Sequence, residues 1–193
     1  MVDQEQTKAL TIDEFTRLYD EAPFEIIHGK WIPMSPTKFR HSRVSKRVYD
    51  AFLRYTDRHD TGEVFFETVY ILEDRPNGVE GSRVPDVMFI RKESMARYLA
   101  DTTDAEDKPL ILVPDLVVEV ISPTDSYSDV AAKIEAYLED GVSIIWVFDP
   151  QRKNVAVYQG GSREPLIHRA GDILSGGDVA PGFELAVSNI FAE

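Results

Sequence analysis

Pro114-Asp115-Leu116-Val117-Val118-Glu119-Val120-Ile121-Ser122-Pro123 reads as a strand covered on both faces, with a carboxylate in its middle. Val and Ile favour the pleated backbone, a proline closes each end, and so short an apolar run fits a central strand. An ionised carboxylate placed there loses several kcal/mol of solvation unless a cation or strong donors meet it. Glu119 therefore needs a partner, and the search for that partner organises the reading of the chain.

At 193 residues with 43% hydrophobic content, the chain is long enough for one sizeable core, and length suggests one domain spanning 1–193. There is no cysteine, which excludes disulfides and thiolate metal sites and suits the cytosol. Residues 1–10 are polar and acidic, and no apolar segment approaches membrane-spanning length, so a cytoplasmic protein with no membrane partner is expected. A formal net charge of −13 argues against a general nucleic-acid coat and leaves only a local basic surface for a polyanion.

Thr11-Ile12-Asp13-Glu14 has the form of a capping box, predicting a short helix to about Asp20 that stops before Pro23. Residues 24–34 predict a hairpin turning at His28-Gly29. A long helix follows over about 39–59, with Val44, Val48, Phe52 and Tyr55 as its apolar stripe. Arg40, Arg43, Arg47, Arg54 and Arg58 fall at helical spacing beside that stripe. Residues 38–58 hold seven basic side chains against two acidic ones, which is either a solvated face or a phosphate-contacting surface.

Residues 63–72 alternate enough for one strand, and 84–90 form the next, opening with a proline. A helical turn or two over 92–99 and an acidic loop over 101–107 lead to the Glu119 strand. Ser126-Tyr127-Ser128-Asp129 caps a helix that stops near Gly141, and 143–149 is a second buried strand. A strand, a helix of this length and another strand make a right-handed crossover, so the two strands are expected parallel. Residues 154–158, 164–168 and 183–187 predict short strands of a C-terminal antiparallel extension. The fold class is thus α/β (α+β), a central mixed sheet flanked by helices with an N-terminal hairpin.

Asp86 and Glu119 sit on separate strands, and if these are neighbours both carboxylates can aim at one point. Two adjacent carboxylates repel unless one is protonated or a cation lies between them. Oxygen ligands with water suit Mg²⁺ or Mn²⁺; the alternative is a proton-sharing pair of the glycoside-hydrolase kind. Lys133 lies on the flank of the stripe formed by Val130, Ile134, Tyr137 and Leu138. Read alone it is a solvated lysine; beside a carboxylate pair it could orient an attacking water or neutralise charge on a phosphoryl group.

Pro85-Asp86, the run from Asp115 to Pro123, Lys133, Tyr137 and Gly141-Val142 before Trp146-Val147-Phe148-Asp149-Pro150 resemble the Uma-type restriction endonuclease family. That family is usually grouped with the PD-(D/E)XK nuclease superfamily. The resemblance extends over Phe24-Glu25-Ile26-Ile27-His28-Gly29-Lys30, Met34-Ser35-Pro36-Thr37 and His41, most of the chain. It implies a restriction-endonuclease-like sheet and a Mg²⁺- or Mn²⁺-dependent endodeoxyribonuclease acting on DNA. Asp86 and Glu119 would bind the metal, with the Val120 carbonyl a further ligand. In the superfamily pattern a lysine stands two residues after the acid, where this chain has Ile121. The resemblance implies that its role has moved onto the helix, to Lys133.

Glu67 could extend the acidic cluster, though alone it reads as an outward-facing Glu; His41 could touch phosphate or the metal shell, or be a cap or surface residue. Asp115 reads as a turn residue, and Trp146 as core. A non-catalytic binding or assembly protein that keeps the fold stays open beside the nuclease, and a carbohydrate-active hydrolase ranks last. A homodimer is expected from the two-site geometry that duplex cleavage favours, with strand edges of the C-terminal extension free to pair.

Overall fold

The computed structural model describes residues 10–192; the stretch read as the polar N-terminus falls outside it except for Leu10. Helix α1 (Ile12–Glu21) starts at the expected capping box, Thr11 and Glu14 each bonding the other's backbone. The hairpin of β1 (Phe24–Ile27) and β2 (Lys30–Pro33) turns at His28-Gly29, both in the left-handed region at φ 49° and 71°. Helix α2 (Phe39–Thr56) buries Val44, Val48, Phe52 and Tyr55, as its stripe predicts, and ends three residues earlier than expected.

Residues 63–72 are not one strand. Strand β3 (Gly62–Phe66) stops because Glu67 takes φ 45°, a left-handed turn that ends the pleat, and β4 (Tyr70–Ile71) joins a different sheet. Strands β5 (Asp74–Arg75) and β6 (Gly78–Val79) form a small hairpin, and β7 (Ser82–Arg83) follows. Strand β8 (Val87–Arg91) begins one residue after Asp86 and runs into α3 (Lys92–Asp101). Then come β9 (Leu116–Val120), α4 (Tyr127–Asp140) and β10 (Ile144–Asp149). Gly141, at φ 90°, supplies the left-handed C-cap of α4.

The main sheet has six strands in the order β12-β11-β10-β9-β8-β3. Strands β9 and β10 are parallel, as the crossover requires, and the others antiparallel. The C-terminal segment makes its expected antiparallel strands in part. Strands β11 (Asn154–Gln159) and β12 (Leu166–His168) extend the main sheet itself, and β12 forms its edge with Leu166 and Ile167 exposed. The predicted strand over 183–187 is shorter, β14 (Glu184–Ala186); it pairs with an unanticipated β13 (Ile173–Ser175), and Val187 opens helix α5 (Val187–Phe191).

Alternation along β9 divides the core. Leu116, Val118 and Val120 pack with α2, Trp146 and the C-terminal segment, while Val117 packs with α3 and α4. Glu119 shares the parity of Val117 and so faces α4. Strands β2-β1-β7-β4 make a second sheet, whose Phe24, Ile26 and Ile71 pack on Phe15 of α1. This second sheet closes one side of the Glu119 face. Among the described residues, no helix is long and apolar enough to cross a membrane.

Candidate active site

Pairing of Val87 with Val118 sets β8 antiparallel to β9 and brings Asp86 level with the end of β9. The Val120 amide donates to Asp86 Oδ2 at 2.6 Å. A strand residue turns its N–H and C=O to the same neighbour, so the Val120 carbonyl also lies on the Asp86 edge. Asp86 Oδ1 is 2.6 Å from His41 Nε2, and both side chains are buried. The reading of His41 as a cap or surface residue is thereby corrected: in the first turn of α2 it points into the protein because its neighbours in the stripe do. Burial works against a charge on His41, but the hydrogen bond and charge of Asp86 outweigh it and hold the imidazole above its ordinary pKa.

Glu119 meets its partners on α4. Lys133 Nζ lies 3.2 and 3.3 Å from the two Glu119 oxygens, and the Tyr137 hydroxyl donates to Oε1. Lys133 is therefore an inward, paired lysine rather than a solvated one. Its amine also lies 3.1 Å from Glu25 Oε2 on β1. Glu25 is buried, and its other oxygen accepts from the Val84 amide at 2.9 Å. Sequence reasoning missed Glu25 and gave Tyr137 only a packing role. The signal for Glu25 was the one that exposed Glu119, a lone carboxylate in an apolar strand, in Phe24-Glu25-Ile26-Ile27.

Glu67 is exposed, as its plain reading had it, though its amide bonds the Asp86 carbonyl at 3.2 Å. Asp115 sits at the bend that enters β9, as its reading had it, and is in addition a buried partner of Arg91, 2.7 Å from its Nε. Trp146 is fully buried core. Arg40, Arg43 and Arg54 stand exposed, whereas Arg47 is turned back on the fold, donating to the Ile190 and Ala192 carbonyls at the end of the chain. Removing it as Arg47→Ala is expected to cost about 2 kcal/mol in chemical denaturation, the usual weight of hydrogen bonds from a charged donor.

Glu25, His41, Asp86, Glu119 and Lys133 all line one cleft of about 440 Å³, closed on one side by residues 32–37 and on the other by the start of α4. Glu25, Asp86 and Glu119 face Lys133 and His41 there, with Asp125 and Asp129 at the rim. Burial, Asp86 and Glu25 push the Glu119 carboxyl up to about 7 even though Lys133 and Tyr137 pull it down. Burial opposes the charge on Lys133 as well, yet Glu119 and Glu25 raise its pKa above that of an ordinary lysine, so the amine stays protonated.

Among the described residues, no three His, Cys, Asp or Glu side chains form a ready metal cage. The donor set nevertheless fits a hard divalent cation of the Mg²⁺ class. Such an ion takes one or two carboxylates and completes its shell with water and phosphate, and its charge would relieve the crowding of Asp86 and Glu25 that raises the Glu119 pKa.

The raised Glu119 pKa carries a sign. Between the ordinary glutamate range and about 7 the folded state holds a proton that the unfolded state has released, so this group's contribution to stability is lost as pH rises through that window. In EDTA, Glu119→Gln is expected to flatten the fall of Tm between about pH 5 and 8. An unchanged slope would refute the assignment.

The fold is of a nuclease-like class, a mixed α+β protein with a central sheet between helices. It superposes on the crystal structure of "a putative nuclease belonging to DUF820" from Anabaena variabilis with a TM-score of 0.75 and 21% identity, over 94% of this chain and 97% of that one. The chain itself belongs to the Uma2 family, described as "Putative restriction endonuclease", whose sequence model matches residues 12–188. No curated protein matches it.

Proposed function

We propose that this protein is a metal-dependent endonuclease that hydrolyses phosphodiester bonds in DNA. One observation carries the reading: two buried carboxylates, Glu25 and Asp86, the part-buried Glu119 and a lysine amine, brought from β1, the start of β8, β9 and α4, face one open cleft. Family membership supports the same chemistry.

Asp86 and Glu119, with the Val120 carbonyl beside them, are the residues that would hold Mg²⁺ or Mn²⁺. The cation, when bound, supplies Lewis-acid charge at the phosphoryl group. Lys133, kept protonated by its two carboxylates, neutralises charge developing on the phosphoryl oxygens and orients the attacking water. Glu25 fixes the amine from the second sheet. Tyr137 occupies one lone pair of Glu119 and His41 holds the Asp86 carboxylate, so both acids keep one orientation. Exposed Arg40, Arg43 and Arg54 furnish the cationic face for the phosphate backbone in an otherwise acidic protein.

Purified protein incubated in Mg²⁺ or Mn²⁺ with supercoiled plasmid and with a single-stranded DNA circle is expected to cut at least one of them, and EDTA to silence the cut. Failure on both substrates would overturn the reading and favour a binding protein that keeps the fold.

A further inference from the structure

The chemistry above leaves the mouth of the cleft unused. Trp31, Ile32, Met34 and Phe39 are all exposed within nine residues, Phe39 by 78%, and Ile32 and Met34 line the cleft. Trp31 is engaged with Phe24, against which it stacks at 4.6 Å, which leaves Ile32 and Met34 on the cleft wall and the exposed Phe39 ring at the start of α2 as apolar surface of the kind that marks binding. The Arg43 guanidinium lies over the Phe39 ring, 5.8 Å from its centroid.

A second concavity, also about 440 Å³, adjoins the first across the opening turns of α2. His41 lines the cleft, while Arg40 and Arg43 line this neighbour together with Arg47 and Lys153. Among the described residues, no carboxylate lines it. The opposite rim of the cleft has the reverse character, since exposed Asp125 and Asp129 stand there. The arginines thus stand on the Phe39 side only, whereas the acidic rim carries an exposed aromatic ring of its own, Tyr127.

We infer that the cleft takes a single strand of DNA, with a base stacked on Phe39 and neighbouring phosphates in the concavity of Arg40, Arg43 and Lys153. This rests on the nuclease reading and narrows its substrate. A duplex keeps its bases stacked on one another and offers Phe39 only sugar and phosphate. It also carries a second row of phosphates, which the Asp125 and Asp129 rim repels. An unpaired strand has one row of phosphates and free base faces, matching a surface with one cationic side and exposed rings, Phe39 and Tyr127, for bases to stack on.

The test is fluorescence anisotropy of the full-length protein in EDTA, using a labelled twelve-nucleotide oligo-dT and a duplex of the same length. The single strand is expected to bind about tenfold more tightly than the duplex, and Phe39→Ala to remove about tenfold of its affinity while Phe39→Trp keeps it. Arg43→Ala with Lys153→Ala is expected to lower the salt slope for the single strand by roughly 1.4, about 0.7 for each phosphate released. Equal affinity for the two forms, or single-strand binding unmoved by Phe39→Ala, overturns the inference. The outcome is separable from that of the cleavage assay: cutting with equal binding removes only the single-strand preference, whereas no cutting of either circle removes the nuclease reading.

Discussion

Glu119→Ala is expected to abolish DNA cleavage, with a loss on the order of a thousandfold or more in the nicking assay. The carboxylate does two things that no neighbour can take over. On the proposed mechanism it would be one of two acids presented to the cation, and it pairs with the Lys133 amine at 3.2 Å. With it gone, the amine keeps only Glu25, on the far side, and is withdrawn from the phosphoryl position. The variant leaves the Tyr137 hydroxyl and one side of Lys133 without their partner, so its fold is confirmed by circular dichroism beside the assay, and nucleic-acid affinity in EDTA should change little. Cleavage by the variant at the parental rate would sink the mechanism and mark the activity as contamination.

The second large effect is on stability. Lys133 stands between two carboxylates that no other cation serves as closely, with Glu25 and Glu119 at 3.1 and 3.2 Å. Lys133→Met leaves both facing each other without compensation. Breaking a buried pair from one side costs about 3 kcal/mol, which for a chain of this size is roughly 6 to 12 °C in Tm. Adding Glu25→Gln should restore much of that loss, since it removes one of the facing charges, but should not restore cleavage. Thermal melts of the two single variants and the double variant in EDTA decide the matter. If the double variant is as unstable as Lys133→Met alone, the amine does not act through Glu25.

The elements that sequence reading placed well are those whose cause is local. Thr11 and Ser126 announce their helices because a cap is made within three residues, and His28-Gly29 announces the hairpin because its turn needs left-handed backbone. Asp86, Glu119 and Lys133 could be named together because an acid in an apolar strand is a local anomaly and the crossover rule places the helix over it. Glu25 escaped because nothing near residue 25 says that the hairpin will fold against α4; that contact is made across more than a hundred residues. His41 was named as a residue that could touch the metal shell, but its burial against Asp86 could not be read, since that depends on the pose of α2 over the sheet. The break at Glu67 and the assignment of β11 and β12 to the main sheet were equally invisible. A single left-handed residue has no composition signal, and a strand's neighbours are chosen by packing rather than by its own pattern.

The amine reaches the acid from a helix, not from the next outward position on the same strand. Two residues apart on one strand, acid and amine would be held at a spacing fixed by the pleat, beyond the reach of any loop. Here the spacing is set by residues 122–126, the link between β9 and α4, in which Ser122 is bonded to Asp125. That link works as a mechanical linkage. An inserted residue in the first turn of α4 itself, ahead of Lys133, would turn Lys133 by about 100° relative to the residues before it and carry it off the cleft while the sheet stays assembled. Insertions there are a route by which a lineage could silence the chemistry and keep the scaffold for another use.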